Sequence, residues 1–404
     1  MTGVPATAPG ADGGMDRSAS VDGENVAAGG RGPAAASGSV AAGPVVGREV
    51  ASSPPDPAVL DGPEAVTPAW LDAVLGTAGT AAGVRSVNFT PVGTGQMALT
   101  VRLEVDHADG TRRTLVAKFA RSDVAPELSR MAYAKEVAFY RELSTRVAIR
   151  TPACHHAAMA DDAPLFVLVL EDVVGARQGD QIAGCSPVHA RAAVENLAGL
   201  HGPTWCDPAL AERPWLGGGD GVDPDLLRAF IAGAADAFAA RFADDLGPED
   251  DDVLAASREH LAEWALAPSE RFSVIHGDYR LDNLLFPVDD PTRVAAVDWQ
   301  TTAIGLPARD LAFFLATCLP VEERRRHEQR LLKAYHAALT RHGVAGYPFI
   351  RCVEDYRLGM MQAPLIILLG RATATETARG DEMFLAMWQR STAAIHDAGT
   401  LDLL

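Results

Sequence analysis

The sequence predicts an α+β protein in two lobes, a five-stranded antiparallel sheet carrying one helix and then a mainly helical half. Three observations predict it. Between Val84 and Leu170, short runs rich in β-branched and apolar residues alternate with turn signals. A single segment in that region, Glu127–Ser144, has helical apolar spacing. Beyond Pro187 helical spacing dominates, interrupted by Arg271–Gln300, whose short apolar runs read as strands around a loop.

The chain has 404 residues, 48% of them hydrophobic, which suffices for two sizeable cores. Residues 1–57 are mostly Ala, Gly, Pro, Ser and Val and cannot bury enough apolar surface to offset conformational entropy, so a disordered tail is expected there. The first lobe is expected over 58–173 and the second over 174–404. The formal net charge is −18, and six acids and three arginines in the tail leave −15 on the rest. Such acidity disfavours nucleic-acid phosphate and anionic membranes as partners. The five cysteines are scattered and include no Cys-x-x-Cys pair, which argues against a disulfide framework or a zinc site. Cys154-His155-His156 reads as ordinary packing, because neighbours on an extended strand face opposite ways. With no run long enough to span a bilayer and no basic-then-apolar leader, a cytoplasmic location is expected.

In sequence order, Thr67 caps a short helix through Leu75 with Pro68 at its first position. Strands follow at Val84–Val92, Leu99–Val105 and Thr114–Phe119, the last two joined through an Asp109-Gly110 turn. The loop between the first two strands contains Gly93 and Gly95, but Ala98 stands where a third glycine would complete Gly-x-Gly-x-x-Gly. Strand Leu115–Phe119 carries one lysine, Lys118. On Glu127–Ser144, Glu136 shares the apolar face with Phe139, Tyr140 and Leu143, where an unpaired carboxylate would be costly; Lys118 is its natural partner. Strands at Ala153–Met159 and Leu165–Leu170 complete the sheet. Helices are expected at Pro187–His201, Pro224–Phe242, Glu249–Trp264, Glu322–Gly343, Arg351–Arg371 and Met383–Ala398, with another starting at Leu306–Ala312.

The most informative stretch is Arg271–Gln300, RFSVIHGDYRLDNLLFPVDDPTRVAAVDWQ. His276-Gly277-Asp278 is followed five residues on by Asn283, and Asp298 closes the next strand. A base Asp, an Asn five positions later and a second Asp after a strand is the kinase core pattern. His-Gly-Asp and Asp298-Trp299-Gln300 resemble the aminoglycoside phosphotransferase-like small-molecule kinases, and the Asp-Trp-Gln ending resembles their choline-kinase-like, ecdysteroid-kinase-like branch.

This resemblance implies a protein-kinase-like bilobal fold with ATP and Mg²⁺ as cofactors. It implies that Asp278 orients and deprotonates an acceptor hydroxyl and that Asn283 and Asp298 hold the metal. Gly93, Gly95 and Lys118 would then face the phosphates, with Glu136 pairing Lys118. The backbone C=O of Glu171 and N–H of Val173 would meet adenine, and His276 and Asp310 would brace the catalytic turn. The implied reaction is phosphorylation of a hydroxyl on a small organic molecule, a steroid-like or other bulky alcohol. Aminoglycosides, macrolides and hydroxyacyl-CoA are alternatives, since His-Gly-Asp-Tyr-Arg-Leu-Asp-Asn also looks like kinase domains acting on hydroxyacyl-CoA. A reading from another class is a nucleotide-binding pseudokinase that serves as an interaction module. The presence together of Lys118, Asp278, Asn283 and Asp298 speaks against it.

Overall fold

A computed structural model describes residues 57–404 except 94–96, 122, 124–125 and 218–221, and the backbone alone of 126–128. The tail expected over 1–57 therefore falls almost wholly outside the described residues.

The fold begins with helix α1 (Pro68–Leu75), where the Thr67 hydroxyl accepts the Trp70 N–H and left-handed Gly76 ends the helix. Strands β1 (Val84–Pro91), β2 (Ala98–His107) and β3 (Arg112–Ala120) form a meander. Helix α2 (Pro126–Ala138) follows, then β4 (Cys154–Met159) and β5 (Phe166–Glu171). All pairings are antiparallel and the strand order is β1-β2-β3-β5-β4, which completes the five-stranded sheet expected.

Period-two alternation gives the sheet two different faces. Val101, Leu103, Ala117, Phe119, Val167 and Val169 join Leu71 of α1 in one core. Leu168 and Leu170 face the other way, onto Tyr133 and Val137 of α2, in a core continuous with the helical lobe. Lys118, between Ala117 and Phe119, must point to that second face.

After β5 the backbone passes into the second lobe, where β6 (Ala176–Gln178) pairs with β8 (Leu284–Pro287), and β8 in turn with β9 (Ala295–Ala296). A two-stranded ribbon joins β7 (Ser273–Ile275) to β10 (Ala303–Gly305). These short strands sit among helices α3 (Pro187–His201), α4 (Pro224–Arg241), α5 (Pro248–Leu266), α6 (Ala308–Cys318) and α7 (Val321–Arg341). Helices α8 (Phe349–Gly359), α9 (Gln362–Thr373) and α10 (Ala378–Ala398) complete the lobe.

Two expectations change. The helix expected over Arg351–Arg371 is two, α8 and α9, because Pro364 has no N–H to donate and its ring would clash with the carbonyl four residues back. It is accommodated in the first turn of α9. The helix expected through Ser144 leaves α geometry after Ala138, since Ser144 N–H reaches the Phe139 carbonyl five residues back in a π turn.

Candidate active site

Lys118 and Glu136 meet where β3 crosses α2. The ammonium lies 2.7 and 2.8 Å from the two Glu136 oxygens and 3.0 Å from Asp298 Oδ1. The Glu136 side chain is buried, and Lys118 is nearly so. Burial works against the Lys118 charge, but Asp298 and Glu136 outweigh it and hold the ammonium above its ordinary range. Partial desolvation opposes ionisation of Asp298 too, yet Lys118 keeps that carboxyl below its usual range. Glu136 moves the other way, because burial and the nearby Asp298 together exceed the pull of Lys118.

Three further contacts lock α2 and the π turn after it onto the segment that follows Asp298. Gln300 Nε2 donates to Glu136 at 3.2 Å, Lys135 Nζ to Thr302 C=O at 3.0 Å, and Trp299 stacks on Phe139 with centroids 3.6 Å apart. Asp298 itself adopts φ 70°, a left-handed conformation uncommon outside glycine, and its side chain keeps 40% of its surface accessible.

Backbone register brings Asn283 to the same place. Leu284 pairs with Ala296, and Val297 N–H donates to Asn283 C=O at 3.0 Å, so Asn283 lies beside the strand end that carries Asp298. Asn283 Nδ2 donates to the backbone carbonyl of Asp278 at 2.8 Å and to its Oδ2 at 2.9 Å. Both partners are acceptors, which fixes the amide nitrogen on Asp278 and leaves Asn283 Oδ1 on the other side.

The turn that carries Asp278 is held from below. Asp310, wholly buried, accepts His276 N–H at 2.6 Å and Gly277 N–H at 2.9 Å. Burial would raise its carboxyl, but His201 (3.2 Å) and these N–H groups overcome that and hold it low. His201 reaches Tyr335 with its other nitrogen at 2.7 Å, and so is a packed brace. His276 Nε2 bonds to Val297 C=O at 3.0 Å, tying the turn to the strand before Asp298.

The remaining expected residues are only partly brought to the site. Gly93 is described, at φ 74°, whereas Gly95 lies outside the described residues. Glu171 uses its carboxylate on Arg150 (2.6 Å) and Ala153 N–H (2.9 Å), and its own N–H on Ala153 C=O. Asp172 pairs with Arg102 at 2.7 Å. Val173 C=O accepts Ala176 N–H at the turn out of the sheet.

Several residues here went unnoticed in the sequence. The Tyr133 hydroxyl donates to Met97 C=O at 2.5 Å, anchoring the end of the glycine-containing loop. Gln362 Nε2 donates to Gly277 C=O at 2.8 Å and is held by Arg309 at 2.7 Å. Burial pushes the Arg309 guanidinium down to about 10, and it lies over the Trp264 ring at 4.4 Å. Arg280 places Nε 3.0 and 3.1 Å from the Asp278 oxygens and Nη1 3.0 Å from Asp282. Of these, only Arg280 lies within the stretch the sequence had singled out, between Asp278 and Asp282.

The profile of the phosphotransferase enzyme family, APH, matches residues 88–349, more than half of the full length. The chain belongs to this family. That family is one of phosphotransferase enzymes, and the two-lobed α+β architecture agrees with the plan expected from the sequence. A stretch of 71 residues is 34% identical to acyl-CoA dehydrogenase family member 10 of Mus musculus, covering 16% of this phosphotransferase and 7% of that protein. Another of 60 residues is 37% identical to family member 11 of Homo sapiens, covering 14% of this phosphotransferase and 8% of that protein. The matches thus span less than a tenth of these curated relatives. Among solved structures, the GDP complex of wild-type aminoglycoside 2′-phosphotransferase-IIIa aligns with TM-score 0.47 and 16% identity, over 81% of this phosphotransferase and 99% of that protein. No helix among the described residues is long and apolar enough to cross a membrane.

Proposed function

We propose that this phosphotransferase moves the γ-phosphoryl group of Mg²⁺-bound ATP to a hydroxyl of a small organic molecule. The observation that carries this reading is the Lys118 ammonium held between Glu136 and Asp298, with Asn283 tied both to Asp278 and to the strand leading to Asp298. Asn283 Oδ1 and the part-exposed Asp298 carboxylate are hard oxygen donors, the class that suits Mg²⁺. They would hold the ion, which supplies charge neutralisation on the transferred phosphoryl group. Lys118 would bind the α- and β-phosphates, with Glu136 aiming it. Gly93 and Gly95 would admit the phosphates to backbone N–H groups. Glu171 C=O and Val173 N–H would take the adenine. Asp278 would orient the acceptor hydroxyl and accept its proton, while Asp310 and His276 fix the turn beneath it.

For the acceptor we propose a bulky alcohol, steroid-like or otherwise polycyclic. A hydroxyacyl-CoA is the second reading, favoured by the local matches to proteins named as acyl-CoA dehydrogenase family members. Aminoglycosides and macrolides complete the set. The five free thiols support a reducing, cytoplasmic setting. The test is ADP release from MgATP with sterols, hydroxyacyl-CoA thioesters, aminoglycosides and macrolides, using Asp278→Ala as control. Turnover on one class, lost in the control, is expected. Tight MgATP binding without turnover on any of them would instead identify a nucleotide-binding interaction module.

A further inference from the structure

The carboxylate of Asp278 is gripped from two directions. Asn283 holds one oxygen, and Arg280 Nε lies nearly equidistant from both, at 3.0 and 3.1 Å. The same guanidinium spans to Asp282, with Nη1 3.0 Å from Oδ2. All three side chains are largely enclosed, with 19% of the surface accessible for Asp278 and Arg280 and 12% for Asp282. Enclosed carboxylates sharing one guanidinium would repel without it; Arg280 bridges the two, while the half-exposed Arg379 approaches Asp282 alone, at 3.5 Å.

Asp282 is fixed from outside the catalytic turn. Its Oδ1 accepts Gln181 N–H at 2.9 Å, and its backbone C=O accepts Gln178 Nε2 at 2.5 Å. Gln181 Oε1 accepts Leu281 N–H at 2.9 Å, and its Nε2 donates to Thr317 C=O at the end of α6. Gly179 lies so close that an added Cβ would stand 2.5 Å from Leu281 C=O, an approach no other residue allows. The segment from β6 toward α3 is thus moulded onto residues 281–282, and Arg280 carries that fixed position to Asp278 through a planar fork. A lysine's single rotatable ammonium lacks the planar fork that fixes the angle between the two carboxylates.

We propose that Arg280 is a positioning residue for phosphoryl transfer: anchored on Asp282, it aims the Asp278 carboxylate at the acceptor hydroxyl. This rests on the role given to Asp278 above. Nε and Nη1 are both committed to carboxylates, which directs the fork at Asp278 and Asp282. Loss of the fork therefore lowers turnover and spares nucleotide binding.

The experiment compares Arg280→Gln, Arg280→Lys, Arg280→Ala and Asp282→Asn with the parent protein. ADP release from MgATP is followed with water and with the acceptor panel, MgATP affinity by calorimetry, and stability by urea unfolding. Arg280→Gln is expected to lower kcat about 100-fold while MgATP Kd stays within about twofold. Arg280→Lys recovers less than a tenth of the loss, Asp282→Asn falls in between, and millimolar methylguanidinium restores part of the rate to Arg280→Ala. Unchanged kcat in Arg280→Gln, or MgATP affinity weakened as much as kcat/KM, overturns the proposal. So do additive effects of Asp278→Asn and Arg280→Gln on the urea midpoint, a readout that needs no turnover. Failure of the proposed function looks different, since Asp278→Asn would then leave ADP release untouched whatever happens at 280.

Discussion

Lys118 and Asp298, 180 positions apart in the sequence, are joined by an ion pair of 3.0 Å between Nζ and Oδ1. With Glu136 on the other side of the ammonium, the contact ties β3 and α2 of the first lobe to the strand end of the second. One cation therefore serves two carboxylates.

Lys118→Met removes that cation while keeping most of the apolar length. The buried Glu136 is left without a counter-charge, and unfolding by urea should show a loss of about 3–5 kcal/mol. The double variant Lys118→Met with Glu136→Gln should recover more than half of it, because the stranded charge is then gone. MgATP binding should stay lost in both variants. Equal destabilisation of single and double variants would contradict this account.

Asp298→Asn replaces the charged donor proposed for Mg²⁺ by a neutral amide, and Asn283→Ala removes a donor outright. ADP release should cease on chelation with EDTA and return with added Mg²⁺. Each variant should need at least about tenfold more Mg²⁺ for half-maximal rate. Activity in excess EDTA would refute the metal assignment.

Asp310 makes stability depend on acidity. Its carboxyl is held below the ordinary range in the folded state despite burial. The stabilisation is therefore complete above the unfolded value of about 3.9 and is lost as pH falls through the lower folded value. Parent protein should lose urea resistance over that acid window. Asp310→Asn should be less stable at neutral pH, leaving the His276 N–H without its charged acceptor, and should show a flatter acid limb. Parallel curves for the two proteins would remove Asp310 as the cause.

Gly277 sits at φ 84°, and a Cβ there would lie 2.6 Å from Thr301 C=O. Gly277→Ala faces both left-handed strain and a backbone clash. A loss of about 1–3 kcal/mol is expected, with kcat falling more than MgATP affinity because Asp278 is the next residue. Thermal unfolding and calorimetry together measure both.

Much of this site was legible because its members are local or periodic. Asp278 and Asn283 lie five positions apart in one loop, and Glu136 betrayed itself as a charge on an apolar helical face. The sheet was legible from alternation and turn residues. Some of the supports beneath the site were not. Gln362 is 85 positions from Gly277, and Tyr133 is 36 from Met97, with no pattern linking either pair. The break between α8 and α9 was in principle readable from Pro364, since proline excludes itself from a helix interior. Arg280 lay in plain view, but an arginine in a loop is ordinary, and only coordinates show that its fork spans two carboxylates.

The sequence alone determined the family and the two-lobed α+β plan, since both depend on residue type, short spacings and the periods of helix and strand. Tertiary structure alone decided that Lys118 is shared between two carboxylates, that Gln362 helps hold the Asp278 turn, and that Arg280 bridges Asp278 to Asp282. Those contacts depend on how distant segments pack, and packing is set by shape and burial across the whole molecule, which no local pattern encodes.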